Sequence, residues 1–302
     1  EIRPRDWSSD VCSSDLSRSR GRASAGTVAI RSPTPFATCS AGGGRAPLIC
    51  IVNLILLREG DVDGQDIATL TDVRARHVVD VLRSAPGDTL RVGRLNGPLG
   101  HAEVLTVARD HVSLRCRFDL TPPPRPGIDL LLALPRPKVL KRLWAQLSAI
   151  GVRRILLSNA ARVERDYFDT HVITPATYEP LLVEGLQQAQ DTWLPAVTVH
   201  KRLRLLIEDE LDGLSPPDAI RLVAQAGPTP VPDCLPSGTS SAVVAIGPEG
   251  GWTPFELDLL EQHRFRRLSL GARTLRTDTA CIAVLSGVQD ALRRAADTGV
   301  PY

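Results

Sequence analysis

From Asp129 onward the chain alternates between short apolar runs and amphipathic helical patterns, and this alternation limits its fold more than any other feature. Asp129–Leu134 reads as a strand of the buried type. Leu140, Leu143, Trp144, Leu147 and Ile150 then recur at helical spacing and end at Gly151, where a helix-terminating glycine belongs. The same reasoning predicts strands at Arg154–Leu157, Ile220–Ala226, Ala242–Ile246 and Arg267–Leu270. Helices are predicted at Tyr178–Gln190, Pro254–His263 and Asp278–Arg294. Strands interleaved with helices imply a mostly parallel sheet covered by helices, hence an α/β domain over 128–296. Ligands on such sheets bind beyond the carboxyl ends of the strands.

Ahead of this domain, Thr121-Pro-Pro-Pro-Arg-Pro-Gly127 is a stiff, polyproline-like linker. Residues 52–120 before it show short alternating runs broken by turn residues. Leu54–Leu57, Thr89–Val92, Ala102–Val107 and Val112–Cys116 read as strands, with turns at 85–88 and 96–98. Val73, His77, Val78, Val81 and Leu82 carry one helix. Several short strands around one helix suit a small β-barrel. His77 and His101 read as ordinary surface or partly buried histidines. Arg74, Arg76, Arg83, Arg91 and Arg94 read either as solvated charges or as a phosphate-facing surface.

Residues 1–51 have a different character. They are rich in Ser, Arg, Gly and Pro, lack periodicity, and cannot bury enough apolar surface to offset the entropy of ordering. Arg5 to Leu16 resembles translated adapter sequence, and the chain contains no methionine. The expectation is a non-native or disordered leader, with the functional protein starting near Val52. This stretch holds seven arginines against four acids, so the remainder carries 29 basic and 30 acidic groups. A nucleic-acid partner must therefore be argued from local basic patches rather than from bulk charge. The six cysteines are scattered without metal-type spacing, which argues against a metal site or a disulfide framework and for a cytoplasmic protein. No apolar run reaches the roughly 18 residues of a membrane span.

Two loops carry the chemistry. In Ala245-Ile-Gly-Pro-Glu-Gly-Gly-Trp-Thr-Pro-Phe-Glu256 a buried strand runs into a glycine-rich turn and then a helix. Thr253, Pro254 and Glu256 form a capping-box signature there. Taken alone, the loop could be a tight strand–helix turn or a cradle in which a ligand meets bare backbone. It matches neither the dinucleotide nor the P-loop pattern. Some twenty residues on, Leu268-Ser-Leu-Gly-Ala-Arg-Thr-Leu-Arg-Thr-Asp-Thr-Ala280 repeats the scheme, with Thr277 as the expected N-cap. Arg273 and Arg276 stand before that helix, where an anion or nucleobase would be received.

These paired motifs, GPEGGW and LSLGARTLRTDTA, resemble the signature of the RsmE-type methyltransferases of the SPOUT superfamily. The resemblance spans about Val52 to Arg294. It implies a trefoil-knotted methyltransferase domain behind a PUA-like RNA-binding barrel, acting as a homodimer. It further implies S-adenosylmethionine as cofactor and N3 of one uridine in 16S ribosomal RNA of the small subunit as target. The cofactor loops would be Ala224–Pro228, Ile246–Gly251 and Leu268–Arg276. Its contacts would include Ala226, Ile246, Gly247, Pro248, Gly250, Gly251, Leu270, Gly271 and Leu275. Two departures from the family pattern, Ser148-Ala-Ile-Gly151 and Gln187–Trp193, bear on RNA contacts rather than on the cofactor.

The expected chemistry is mainly positioning, with the base unpaired or flipped so that N3 is reachable. Arg276 is expected to stabilise negative charge on the uracil oxygens, and Glu249 to orient a substrate or cofactor group or to shape the loop. Lys138, Arg142 and Arg273 are the expected RNA contacts. Around them Lys141, Arg153, Arg154, Arg162 and Arg165 read equally as phosphate contacts or solvated charges. The sequence singles out no residue as the general base and leaves the proton acceptor for N3 unassigned, and no metal or membrane contact is expected. Other readings are a ribose 2′-O or guanine-N1 methylation, or a non-catalytic RNA-binding assembly factor.

Overall fold

The computed structural model describes residues 50–225, 230 and 235–297. The expected leader lies outside the described residues except for Cys50 and Ile51, and Ala226 lies outside them as well. The strands that are described form two sheets, one before the proline-rich linker and one after it.

The first sheet is built from β1 (Cys50–Leu57), β2 (Ile67–Leu70), β3 (Thr89–Arg94), β4 (Leu99–Val107) and β5 (Val112–Leu120). Its hydrogen-bonded order is β1-β3-β4-β5-β2, with β1 parallel to β3 and the other pairs antiparallel. β2 escaped the sequence reading because four residues show too little alternation to stand out. The expected helix is α1 (Val73–Arg76), prolonged by a π-helical turn at His77–Val81 and capped by the Asp72 carboxylate. The core is aliphatic: Ile55, Leu57, Leu70, Val78, Leu90, Val92, Val104 and Leu114 are buried.

Three arginines expected here to be solvated or to face phosphate are engaged otherwise. Arg74 binds Asp61, Asp72 and the carbonyl of Leu56. Arg91 donates to the side chain of Gln190, and the Arg94 guanidinium lies 4.4 Å from the Phe118 ring centroid.

The second sheet is fully parallel, in the order β11-β9-β10-β6-β7-β8. Its strands are β6 (Ile128–Ala133), β7 (Val152–Ser158), β8 (Ala196–His200), β9 (Ile220–Ala224), β10 (Ala242–Ile246) and β11 (Phe265–Leu268). Its main helices are α2 (Pro137–Ala149) and α3 (Pro175–Ala189). Short helical turns follow, α4 (Leu203–Leu205), a π-helical turn at Leu206–Glu210 and α5 (Leu211–Leu214). The last two helices are α6 (Pro254–Gln262) and α7 (Thr277–Asp297).

Strands β6 and β10 are buried along their whole length, as a doubly covered parallel sheet requires. β8 and the 203–214 turns were missed. β8 is a half-exposed edge strand, and the turns mix α- and π-geometry. β11 ends at Leu268, two residues before the expected end, because Leu270 turns outward and is exposed. Thr277 is the first residue of α7 rather than its cap; Ala280 donates to the carbonyl of Arg276, which takes the cap position.

Both departures from the family pattern sit in packing contacts. Ser148 is buried where α2 meets α3, and its hydroxyl donates to the Leu182 carbonyl at 2.7 Å. Gly185 lies opposite, so close that a Cβ there would come within 2.0 Å of the Ala145 oxygen. The second departure joins the two sheets. The Asn96 amide N–H donates to the Thr192 carbonyl (2.7 Å), and the Thr192 hydroxyl donates to the Gly97 carbonyl (2.8 Å). Asn96 Oδ1 in turn accepts from the Leu194 amide. Trp193 donates to the Pro123 carbonyl and lies under Arg125, which pins the linker. A small apolar cluster of Leu54, Leu56, Leu99 and Leu186 fills the seam.

Candidate functional site

Four adjacent parallel strands, β6, β10, β9 and β11, end at the same edge of the sheet. The chain runs from β6 outward to β7 and β8, then crosses to β9 and inserts β10 beside β6. Such a reversal leaves a crevice at the carboxyl ends of the strands.

Two cavities open there. The first, of about 320 Å³, is lined by Ala224 and Gln225 after β9, Pro248–Gly251 after β10, Leu268–Leu275 around the end of β11, and Ala280 and Val284 of α7. Its walls combine aliphatic residues, Leu268, Leu270, Leu275 and Val284, with the polar Gln225, Glu249, Ser269 and Arg273. Gly251 and Gly271 adopt positive φ (73° and 98°), a conformation that a side chain would strain.

The second cavity, of about 520 Å³, is lined by Arg136, Lys138, Val139 and Arg142 at the start of α2, together with Glu249 and Thr274–Asp278. Glu249, Thr274 and Leu275 line both cavities and so form the wall between them. Glu249 and Arg273 are the charged residues lining the first cavity, whereas Arg136, Lys138, Arg142 and Arg276 make its neighbour basic.

The loop after β10 is held from three sides. The Glu256 carboxylate, buried at the start of α6, closes the capping box with Thr253. Its other oxygen accepts from the Ala161 amide at 2.7 Å. Arg162 donates to the Gly250 carbonyl, so it braces the loop instead of standing free for RNA. The Arg136 amide donates to Glu249 Oε1 at 3.1 Å and ties the loop to the start of α2. Neither Arg136 nor the bracing role of Arg162 was foreseen. Both depend on loops that meet only in three dimensions.

Of the expected cofactor contacts, Pro248, Gly250, Gly251, Leu270, Gly271 and Leu275 line the first cavity, as does Arg273. Ile246 is buried at the end of β10, and Gly247 packs against the indole of Trp252; neither lines the cavity. Lys138, Arg142 and Arg276 line the second. Arg276 is 76% exposed, and its Nε lies 3.8 Å from Asp278, whose other oxygen accepts from Arg142 at 3.0 Å. Arg153 and Arg154 do not belong here. They hold the fully buried Asp129 carboxylate. Cys281 of α7 is buried, and burial pushes its thiol up to about 12, so it stays protonated and inert. No cluster among the described residues could hold a metal ion, and no described helix is long and apolar enough to cross a membrane.

A family model described as an RNA methyltransferase domain matches residues 122–289. The chain belongs to the RNA methyltransferase family. Its span covers the parallel sheet, the residues lining both cavities and all of the linker but Thr121. Among curated proteins, ribosomal RNA small subunit methyltransferase E of Treponema pallidum is 28% identical over 241 residues, 78% of this chain and 90% of the relative. The solved structure of the Neisseria gonorrhoeae protein of that name, bound to S-adenosylmethionine, superposes with a TM-score of 0.65 at 19% identity. It covers 79% of this chain and 97% of its own. A Legionella pneumophila protein described as a methyltransferase, in complex with the same cofactor, gives 0.67 at 22% identity, covering 80% and 98%. At such identities the structures establish the shared fold. The RsmE-type resemblance read from the two loops is borne out.

Proposed function

We propose that this protein transfers a methyl group from S-adenosylmethionine to N3 of one uridine in 16S ribosomal RNA of the small subunit. The observation that carries this reading is the pair of cavities divided only by Glu249, Thr274 and Leu275. A nucleoside sulfonium suits the first, where Leu268, Leu270, Leu275 and Val284 offer apolar surface, Glu249 offers a carboxylate and the glycine turns leave backbone accessible. A polyanion suits the second, where Arg136, Lys138, Arg142 and Arg276 converge.

The cofactor supplies an electrophilic methyl group on a cationic sulfur. The protein does the rest. The loops after β9, β10 and β11 fix the methyl donor, and the start of α2 holds the RNA backbone, so that two reactants meet in one orientation. Arg276 places a permanent positive charge where the uracil oxygens gain electron density as N3 loses its proton. Because N3 lies on the pairing edge, the base enters the second cavity unpaired.

In this reading the three loops form the trefoil knot of a SPOUT domain, and the chain acts in the cytoplasm without a metal. The first sheet is a PUA-like barrel that presents the RNA. Exposed Leu270 and Leu275 at the rim are covered by a second copy in a homodimer. Calorimetry with S-adenosylmethionine tests the reading. Saturable one-site binding, weakened by Gly251→Ala, is expected; no binding to the wild type would leave an RNA-binding assembly factor instead.

A further inference from the structure

Methylation at N3 must dispose of the N3 proton, and the structure indicates where it goes. We infer that the carboxylate of Glu249 accepts it, an inference that rests on the function proposed above.

Among the described residues lining the two cavities, the carboxylates are Glu249 and Asp278, and there is no histidine. Asp278 is engaged: Arg142 binds one oxygen, and the Thr279 amide and Arg276 approach the other. It lines only the basic cavity. Glu249 lies in the dividing wall, where a base in one cavity meets a methyl donor in the other. Its Oε1 is fixed by the Arg136 amide, and its Oε2 is bonded to none of the described residues. One oxygen therefore anchors the side chain while the other is available. The remaining charged groups are cations, Arg136, Lys138 and Arg142 from α2 with Arg273 and Arg276 from the loop before α7.

In the step, the N3 lone pair attacks the methyl carbon and the N3–C bond forms. The C–S bond breaks and leaves its electron pair on sulfur, which becomes neutral. The N3–H bond breaks and its proton passes to Oε2. The carboxylate becomes a carboxylic acid, and the product base is neutral.

The alternative is that solvent removes the proton beforehand and only the uracil anion reacts. The pH dependence of single-turnover methyl transfer onto small ribosomal subunits separates the two. Carboxylates in general ionise well below neutrality, so an enzyme using one gives a rate level between about pH 6 and pH 9. Reaction through the preformed anion instead rises about tenfold per unit over that range. The wild type is expected to be level. Glu249→Gln, whose amide oxygen can still accept from Arg136, is expected to be about 10²–10⁴-fold slower near pH 7 and to rise with pH. Glu249→Asp is expected to be slower yet level, and both variants are expected to bind S-adenosylmethionine as the wild type does. A wild-type rate that climbs with pH, or Glu249→Gln with a level profile, would overturn the inference. If the wild type transfers no methyl group to N3, it is the proposed function that fails.

Discussion

At the scale of single residues, position in the fold separates side chains of identical chemistry. Arg276, Arg162 and Arg153 are all arginines beside loops or strand starts, yet they do different work. Arg153 neutralises a buried aspartate, Arg162 braces the glycine loop, and Arg276 is exposed in the basic cavity. Replacing Arg276 with Ala is therefore expected to lower kcat by about 10²–10³-fold while the Kd for S-adenosylmethionine stays within about threefold. Single-turnover rates alongside calorimetry check this, and an unchanged kcat would remove Arg276 from the chemistry. A different residue-scale effect belongs to Asp61. Burial alone would raise its pKa, but hydrogen bonds from Arg74 and the Arg58 amide outweigh it and hold the carboxyl below 3.8. Its stabilisation is present above the unfolded value and is lost as pH falls through the folded one. Asp61→Asn should thus lower Tm at neutral pH, and the gap to wild type should close as the pH drops below about 4. A gap that persisted at lower pH would contradict this assignment.

At the scale of elements, what was readable in the sequence followed burial. β6 and β10, apolar throughout, and α6, with its Thr253–Glu256 capping box, stand where the pattern placed them. The glycine loops were legible because strand, turn and cap signals coincide within a dozen residues. β2 and β8 were not, since short or half-exposed strands leave little periodicity. The α2 contribution to the site was legible only in part. Lys138 and Arg142 looked basic, but only folding brings Arg136 against Glu249. Helix contacts were also hidden. Ser148 read only as a departure from the family pattern, whereas together with Gly185 it lets α2 and α3 touch backbone to backbone. Gly185→Ala is expected to destabilise the protein by about 1–3 kcal/mol in urea unfolding, through overpacking. A neutral result would mean that α2 and α3 separate without cost.

At the scale of the whole molecule, a hydrogen-bonded seam joins the two sheets. Asn96, Thr192 and Trp193 fix the first sheet and the linker against the end of α3, so under the proposed function RNA held by the first sheet would stay in register with the site. Asn96→Ala and Trp193→Ala are expected to raise KM for the ribosomal substrate several-fold while S-adenosylmethionine binding is unchanged; an unaltered KM would show that the seam serves stability alone. The proposed function is one reaction at one atom. Its most direct test is mass-spectrometric mapping of 16S ribosomal RNA after small subunits are incubated with the protein and labelled S-adenosylmethionine. One labelled nucleoside, 3-methyluridine, is expected. A label on a ribose 2′-oxygen or on guanine N1, or none at all, would contradict it.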